Sequence, residues 1–140
     1  MGWQEFVGDG MTSGTVGKSL RLEGIEIKFG ADLPSGSVTY FTHVQDYGWM
    51  EPVSNGVMSG TTGQSKRLEA IRIALSGDIE LVYDIYYRVH SENFGWLDWA
   101  KNGESAGTAD YAYRLEGIQI ILVAKGAAAP GITLTPFIQK

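Results

Sequence analysis

Three stretches of this chain carry the same anchors at the same spacing, and that constraint outweighs every other feature of the sequence. Trp3, Trp49 and Trp96 lie 46 and 47 residues apart. Each opens a block that runs through a Gly-Thr pair to Arg-Leu-Glu, at Arg21-Leu22-Glu23, Arg67-Leu68-Glu69 and Arg114-Leu115-Glu116. Gly10, Gly56 and Gly103 keep those offsets, as do Gly14, Gly60 and Gly107. A fixed period of this size marks a repeat architecture, because one such unit cannot bury its apolar face alone. A threefold repeated surface also offers up to three similar sites.

The blocks read as strands and turns. Val38–Gln45 and Ile85–His90 are rich in β-branched and aromatic residues, and each precedes a Trp segment. Those segments end at Asp9-Gly10, Asn55-Gly56 and Asn102-Gly103, which are strong hairpin signals. The Gly-Thr turn follows, and then a long strand such as Arg67–Leu75. Strict alternation would put Arg67, Glu69, Ile71 and Ile73 on one face, with the isoleucines as core. No segment carries a convincing helical period. With 140 residues and 19 Gly, one all-β domain is expected, burying roughly 68% of its unfolded surface.

The first block begins at its Trp and lacks a leading strand. Ile132–Gln139 stands 47 residues beyond the Ile85 strand, with Phe137 at the position of His43 and His90. The C-terminal strand is therefore expected to complete the first repeat and close a ring, removing exposed edges. The repeats are bounded approximately as 132–140 plus 1–30, 31–77 and 78–125. A threefold β-prism of the jacalin type is the expected architecture, with a β-trefoil as the alternative.

The spaced pattern His-x4-Gly-Trp, Asn-Gly, Gly-Thr, Arg-Leu-Glu-(Gly/Ala)-Ile-x-Ile resembles the clostridial hydrophobic repeats with a signature Trp. It is found at His43…Gly48-Trp49 through Ile73 and again at His90…Gly95-Trp96 through Ile120. The resemblance implies a module of secreted bacterial proteins, attached to a wall-lytic catalytic domain that this chain lacks. It also implies an extracellular location at the cell surface or wall. The Gly-x-x-Gly…Leu-Glu-Ala-Ile-x-Ile-x-Leu run looks like the last strand of jacalin-type lectins. The third copy departs from the pattern at Asp110, where the others have Gly17 and Gly63, and at Trp99, which has no counterpart.

The Trp segments are the first candidates for binding. Trp3 with Glu5, Trp49 with Glu51 and Trp96 with Asp98 each place a ring and a carboxylate two apart. A sugar needs that pair, an aromatic plane for its C–H face and an acceptor for its hydroxyls. The same Trp residues also suit packing wedges between sheets. His43 and His90, the only histidines, can donate to a glycan hydroxyl or bond a neighbouring turn, and Gln45 lies two residues beyond His43. Trp99, Asp110 and Tyr111 complete the candidate set. The Arg-Leu-Glu triplets read as ion pairs at one end of the core, and the Gly-Thr loops as tight turns or as exposed amides.

The chemistry excluded is broad. A formal net charge of −5 disfavours nucleic acid and anionic membranes, and no apolar run spans a bilayer. The chain has no Cys, and two His without further partners make no zinc site. No cofactor or metal is expected. Without a nucleophile elbow or a triad, and with the same acid repeated three times, recognition is expected rather than catalysis. The function expected is a non-catalytic, multivalent cell-wall, peptidoglycan or other glycan-binding module. The alternative is a protein-interaction or adhesion module built on Trp96, Trp99, Tyr111 and Tyr113.

Overall fold

Strands form here where β-branched and aromatic residues recur with period two, and they break where Asn or Gly takes the left-handed turn positions. The computed structural model describes residues 12–14, 24–29, 33–61 and 66–140. The first copy contributes β1 (Thr12–Gly14) and β2 (Gly24–Ile25). The second contributes β3 (Ser37–Val44), β4 (Gly48–Trp49), β5 (Val53–Ser54), β6 (Ser59–Gly60) and β7 (Leu68–Ser76). One helical turn, α1 (Asp78–Val82), leads into the third copy. That copy holds β8 (Tyr83–Ser91), β9 (Gly95–Trp96), β10 (Ala100–Lys101), β11 (Ser105–Ala109) and β12 (Leu115–Ala124), and β13 (Phe137–Gln139) follows. The all-β expectation holds, with α1 the one helix among the described residues and not foreseen in the sequence.

In each of the two later copies the leading and last strands pair antiparallel, β3 with β7 and β8 with β12. A third contact links neighbouring copies. Gly60 of β6 pairs with Gly24 of the first copy, and Gly107 of β11 pairs with Ala70 of the second. Gly14 of β1 pairs with Gly117 of the third copy. These three pairs occupy equivalent positions, so the links run cyclically through all three copies. Gly107 shows why glycine stands at this contact. Its φ is +123°, and a Cβ there would sit 2.4 Å from the Glu69 carbonyl oxygen. The Gly-Thr segment is thus a tightly packed strand in the third copy, where Thr108 is fully buried, and no exposed amide cradle.

The Asn-Gly turns form as expected, with Asn55 at φ 47° and Gly56 at 87°, and Asn102 at 43° and Gly103 at 89°. They do not join the strands of one hairpin. β5 lies on β3 while β6 lies on β2, and β10 lies on β8 while β11 lies on β7. Each turn therefore carries the chain from one sheet to the next. The Asn side chain fixes the crossing, since Asn55 Oδ1 accepts from Val38 N–H and Asn102 Oδ1 from Ile85 N–H.

The core lies between these sheets. Val38, Tyr40 and Val44 alternate inward along β3, and Ile71, Ile73 and Leu75 along β7. Ile85, Tyr87, Val89, Leu115 and Ile118 are their neighbours in the same cluster. Each such side chain contributes roughly 1.5–3 kcal/mol on full burial. Tyr40 and Tyr87 add a polar tie. Tyr40 Oη accepts from Ile27 N–H and donates to the Val57 carbonyl, and Tyr87 Oη donates to the Glu104 carbonyl. Asp84, 1% exposed, anchors the start of β8. Gly126 N–H at 3.0 Å and Asn102 Nδ2 at 2.9 Å, with the Lys125 and Lys101 ammoniums, hold its carboxyl well below the usual carboxylate range.

The C-terminal strand sits elsewhere than the repeat suggests. β13 runs parallel to β11, with Phe137 beside Gly107, so its described pairing is with the third copy. Residues 1–11 and 15–23 of the first copy lie outside the described residues.

Candidate functional site

The Arg-Leu-Glu triplet does not keep strict alternation. The β3–β7 register steps from His43↔Ala70 to Val44↔Leu68, leaving Glu69 as the extra residue of a β-bulge. The β8–β12 register steps from His90↔Gly117 to Ser91↔Leu115 and leaves Glu116 in the same role. A bulge re-aims the side chain it carries. Leu68 and Leu115 enter the core at 1% exposure, in place of a continuous Arg-Glu-Ile-Ile face.

The re-aimed carboxylates meet both the Arg and the His of their own copy. Glu69 Oε2 accepts from Arg67 Nε at 2.9 Å, and Glu69 Oε1 lies 2.9 Å from His43 Nδ1. Glu116 Oε2 lies 3.0 Å from Arg114 Nη2, and Glu116 Oε1 lies 3.1 Å from His90 Nδ1. The last contact is within ion-pair distance but off the hydrogen-bonding angle, so His90 is held less directly than His43. Both carboxylates are buried, at 6% and 5% exposure, and buried charge of this kind persists because it is paired. The pairing expected for the triplets is present, and the His is its third member. Sequence reasoning missed that member. Its signal is a constant separation, since His43–Glu69 and His90–Glu116 are both 26 residues apart.

Each His ring stands edge-on to the Trp of its hairpin. The centroids are 5.3 Å apart for His43–Trp49 and 5.4 Å for His90–Trp96, both at 84°. Both Trp rings are half-buried, and each carries an arginine over one face. The Arg72 guanidinium lies 4.3 Å from the Trp49 centroid, and that of Arg88 lies 4.7 Å from Trp96. One face of each ring is therefore already occupied. His43, Gly48, Arg67 and Glu69 line an open depression of about 360 Å³, which Asp110 and Ala112 of the third copy wall on the other side.

The remaining expected residues divide. Gln45 Oε1 accepts from Arg67 N–H at 3.3 Å, a supporting position. In the third copy Glu92 stands there and binds Arg114 through both backbone and side chain, at 3.2 and 2.6 Å. Strands β4 and β9 end at their Trp, so no strand continues to hold the acids two residues on. Glu51 is exposed, and Asp98 Oδ2 accepts from Thr135 N–H at 2.9 Å. Trp99 is buried at 8%, with the Nε1–Cδ1 side of its indole against Gly131 and the Arg88 guanidinium over its ring at 4.9 Å. Asp110 accepts from Gln139 Nε2 at 3.2 Å, and Tyr111 stacks on Tyr113. Trp3 and Glu5 lie outside the described residues. Among the described residues no three His, Cys, Asp or Glu side chains are grouped to hold a metal.

The repeat seen in this geometry matches a known family model three times. The model for "Clostridial hydrophobic W" covers residues 1–29, 43–77 and 90–124. The chain belongs to the clostridial hydrophobic W family. No curated protein and no solved structure matches it. The second and third family units each contain the complete His–Trp–Arg–Glu constellation, because His43 and His90 are their first residues and Glu69 and Glu116 lie near their ends.

Proposed function

We propose that this domain is a non-catalytic module of an extracellular bacterial protein, holding it on cell-wall glycan or peptidoglycan. The observation that carries this reading is duplication. One half-buried Trp, one His edge, one bulge Glu and one Arg are assembled twice in the same geometry. Within each assembly the charges are paired, which leaves ring edges and hydroxyl-matching groups for a neutral, hydroxyl-rich ligand. Repeated shallow sites suit recognition of a polymer, since each weak contact raises the effective concentration for the next. A reaction centre needs one asymmetric constellation, and twofold repetition of a carboxylate already bound to Arg supports none. The family's company with wall-lytic domains agrees with this role. A three-sheet prism with one glycan site per copy is the architecture we favour, for which the cyclic Gly pairings are the support.

Retention of the purified domain on insoluble peptidoglycan, with and without its attached secondary polymers, tests the reading. Retention that follows one preparation names the polymer class. A folded domain retained by neither refutes the proposal.

A further inference from the structure

Phe94, Tyr111 and Tyr113 form a ring cluster that only the third copy can build. Tyr111 and Tyr113 are nearly parallel, at 26° with centroids 5.2 Å apart. Phe94 meets them edge-on at 5.3 and 5.5 Å. Phe94 is 40% exposed, and both tyrosines are half-buried at the surface. The positions 47 residues earlier hold Tyr47, Gln64 and Lys66. There Lys66 pairs with Asp46 at 2.6 Å, whereas the third copy has Asn93 and Tyr113 in their places. An ordinary surface ion pair has given way to aromatic faces left partly in water.

The backbone beneath the cluster is strained. Asp110 and Ala112, at φ 68° and 63°, bracket Tyr111 in the left-handed region, which alanine adopts only at a cost. The same two residues wall the depression beside His43 and Arg67. One loop therefore serves both the ring cluster and the junction between the second and third copies.

We infer that Phe94, Tyr111 and Tyr113 are a stacking platform for one sugar ring of a glycan whose next unit enters the depression beside His43 and Asp110. This rests on the glycan-binding reading above and makes the third copy unlike the others. A pyranose offers an apolar C–H face to a Tyr plane and hydroxyls to the phenols and Asp110 at the rim. A folded protein partner fits less well. The three rings together expose on the order of 200 Å², against about 800 Å² per partner in a stable protein interface. Ionic ligands are disfavoured too, because Arg67 is engaged with Glu69 and Lys66 with Asp46.

The test is the double variant Tyr111→Gln with Tyr113→Lys, which installs the second copy's own residues. Its retention on protein-free Gram-positive sacculi is measured beside the wild type, with circular dichroism as a control of folding. The expected result is a native spectrum with apparent affinity lower by about tenfold. Equal retention of the two proteins overturns the platform and leaves the wall reading standing. A wild type that is not retained removes both. Should the double variant misfold, tyrosine ring resonances of the wild type decide, read during titration with glycan strands released from the same sacculi. Shifts at Tyr111 and Tyr113 support the platform, and shifts confined to other residues overturn it. Retention of the wild type on walls that still carry their proteins, but not on the protein-free sacculi, marks a protein partner and equally overturns it.

Discussion

Arg72 lies over Trp49 from β7, its guanidinium 4.3 Å from the ring centroid. In the third copy the arginine over Trp comes from the opposite strand. Arg88 of β8 stands where the second copy has Phe41, and Gln119 stands where it has Arg72. Phe41 faces Arg72 across one ladder, and Arg88 faces Gln119 across the other. Two different sequence solutions thus reach one contact. A cation on a Trp face contributes about 0.5–2 kcal/mol.

Replacing Arg72 with Ala removes that contact and also the bond from Arg72 Nε to Ser105 Oγ, 2.8 Å long, which ties the second copy to the third. The expected loss is about 1–2 kcal/mol, read as a fall in melting temperature of about 4–8 °C. The exchange Phe41→Arg with Arg72→Gln transplants the third copy's arrangement and should recover most of the loss. A double variant no more stable than Arg72→Gln alone would show that the cation on Trp49 is incidental.

Gly107 and Gly103 both have positive φ, but only Gly107 is closely packed. A Cβ on Gly107 would also come within 2.7 Å of Ala70 Cα, whereas a Cβ on Gly103 meets nothing within 4 Å. Gly107→Ala is therefore expected to cost on the order of 3–5 kcal/mol, because the strand joining two copies must separate. Gly103→Ala should cost only the backbone strain, about 1–2 kcal/mol. Urea denaturation of both variants makes the comparison. Similar midpoints would mean that the Gly107–Ala70 approach does not limit stability.

Burial raises the Tyr87 hydroxyl above its ordinary value of 10.0, and burial does the same to Tyr40. For such a group the native state keeps its proton after the unfolded chain has lost it. The stabilisation is complete below about pH 10 and is lost as pH rises through the folded-state value. Unfolding free energy should therefore decline above pH 10. Tyr87→Phe should lower stability at neutral pH by about 1–3 kcal/mol, since the Glu104 carbonyl loses its donor, and should flatten the alkaline decline. Denaturation midpoints measured from pH 7 to 11 test both parts. An unchanged alkaline slope in the variant would assign the decline to other groups.

What the sequence disclosed was whatever depends on local pattern. The Ile faces, the Asn-Gly turns and the threefold period follow from spacing and backbone preference, and they are where the reading puts them. Glu69 and Glu116 escaped because alternation assumes an unbroken ladder, while a bulge shifts the register by one residue. The His–Glu contact spans 26 residues, and no local rule reaches that far. Asp98 is a different case. Its spacing from Trp96 looked like a strand face, but the chain from Gly131 to Thr135 folds back over Trp99 and takes the carboxylate. A repeat-based reading assigns that segment to the first copy and so cannot place it there.

Trp49 and Trp96 give the sharpest test of multivalency. Each ring is half-buried and engaged by His and Arg, so truncating either should cost about 1–2 kcal/mol and leave the domain folded. If both constellations bind the same polymer, Trp49→Ala and Trp96→Ala should each weaken retention on wall material by about tenfold. The double variant should fall well beyond either single one, because the surviving site of a single variant still holds the domain near the polymer. Release by dilution makes the distinction, since it is slow only while two sites remain engaged. If Trp96→Ala alone released the domain as fast as the double variant, binding would reside in the third copy. The second constellation would then be a structural repeat.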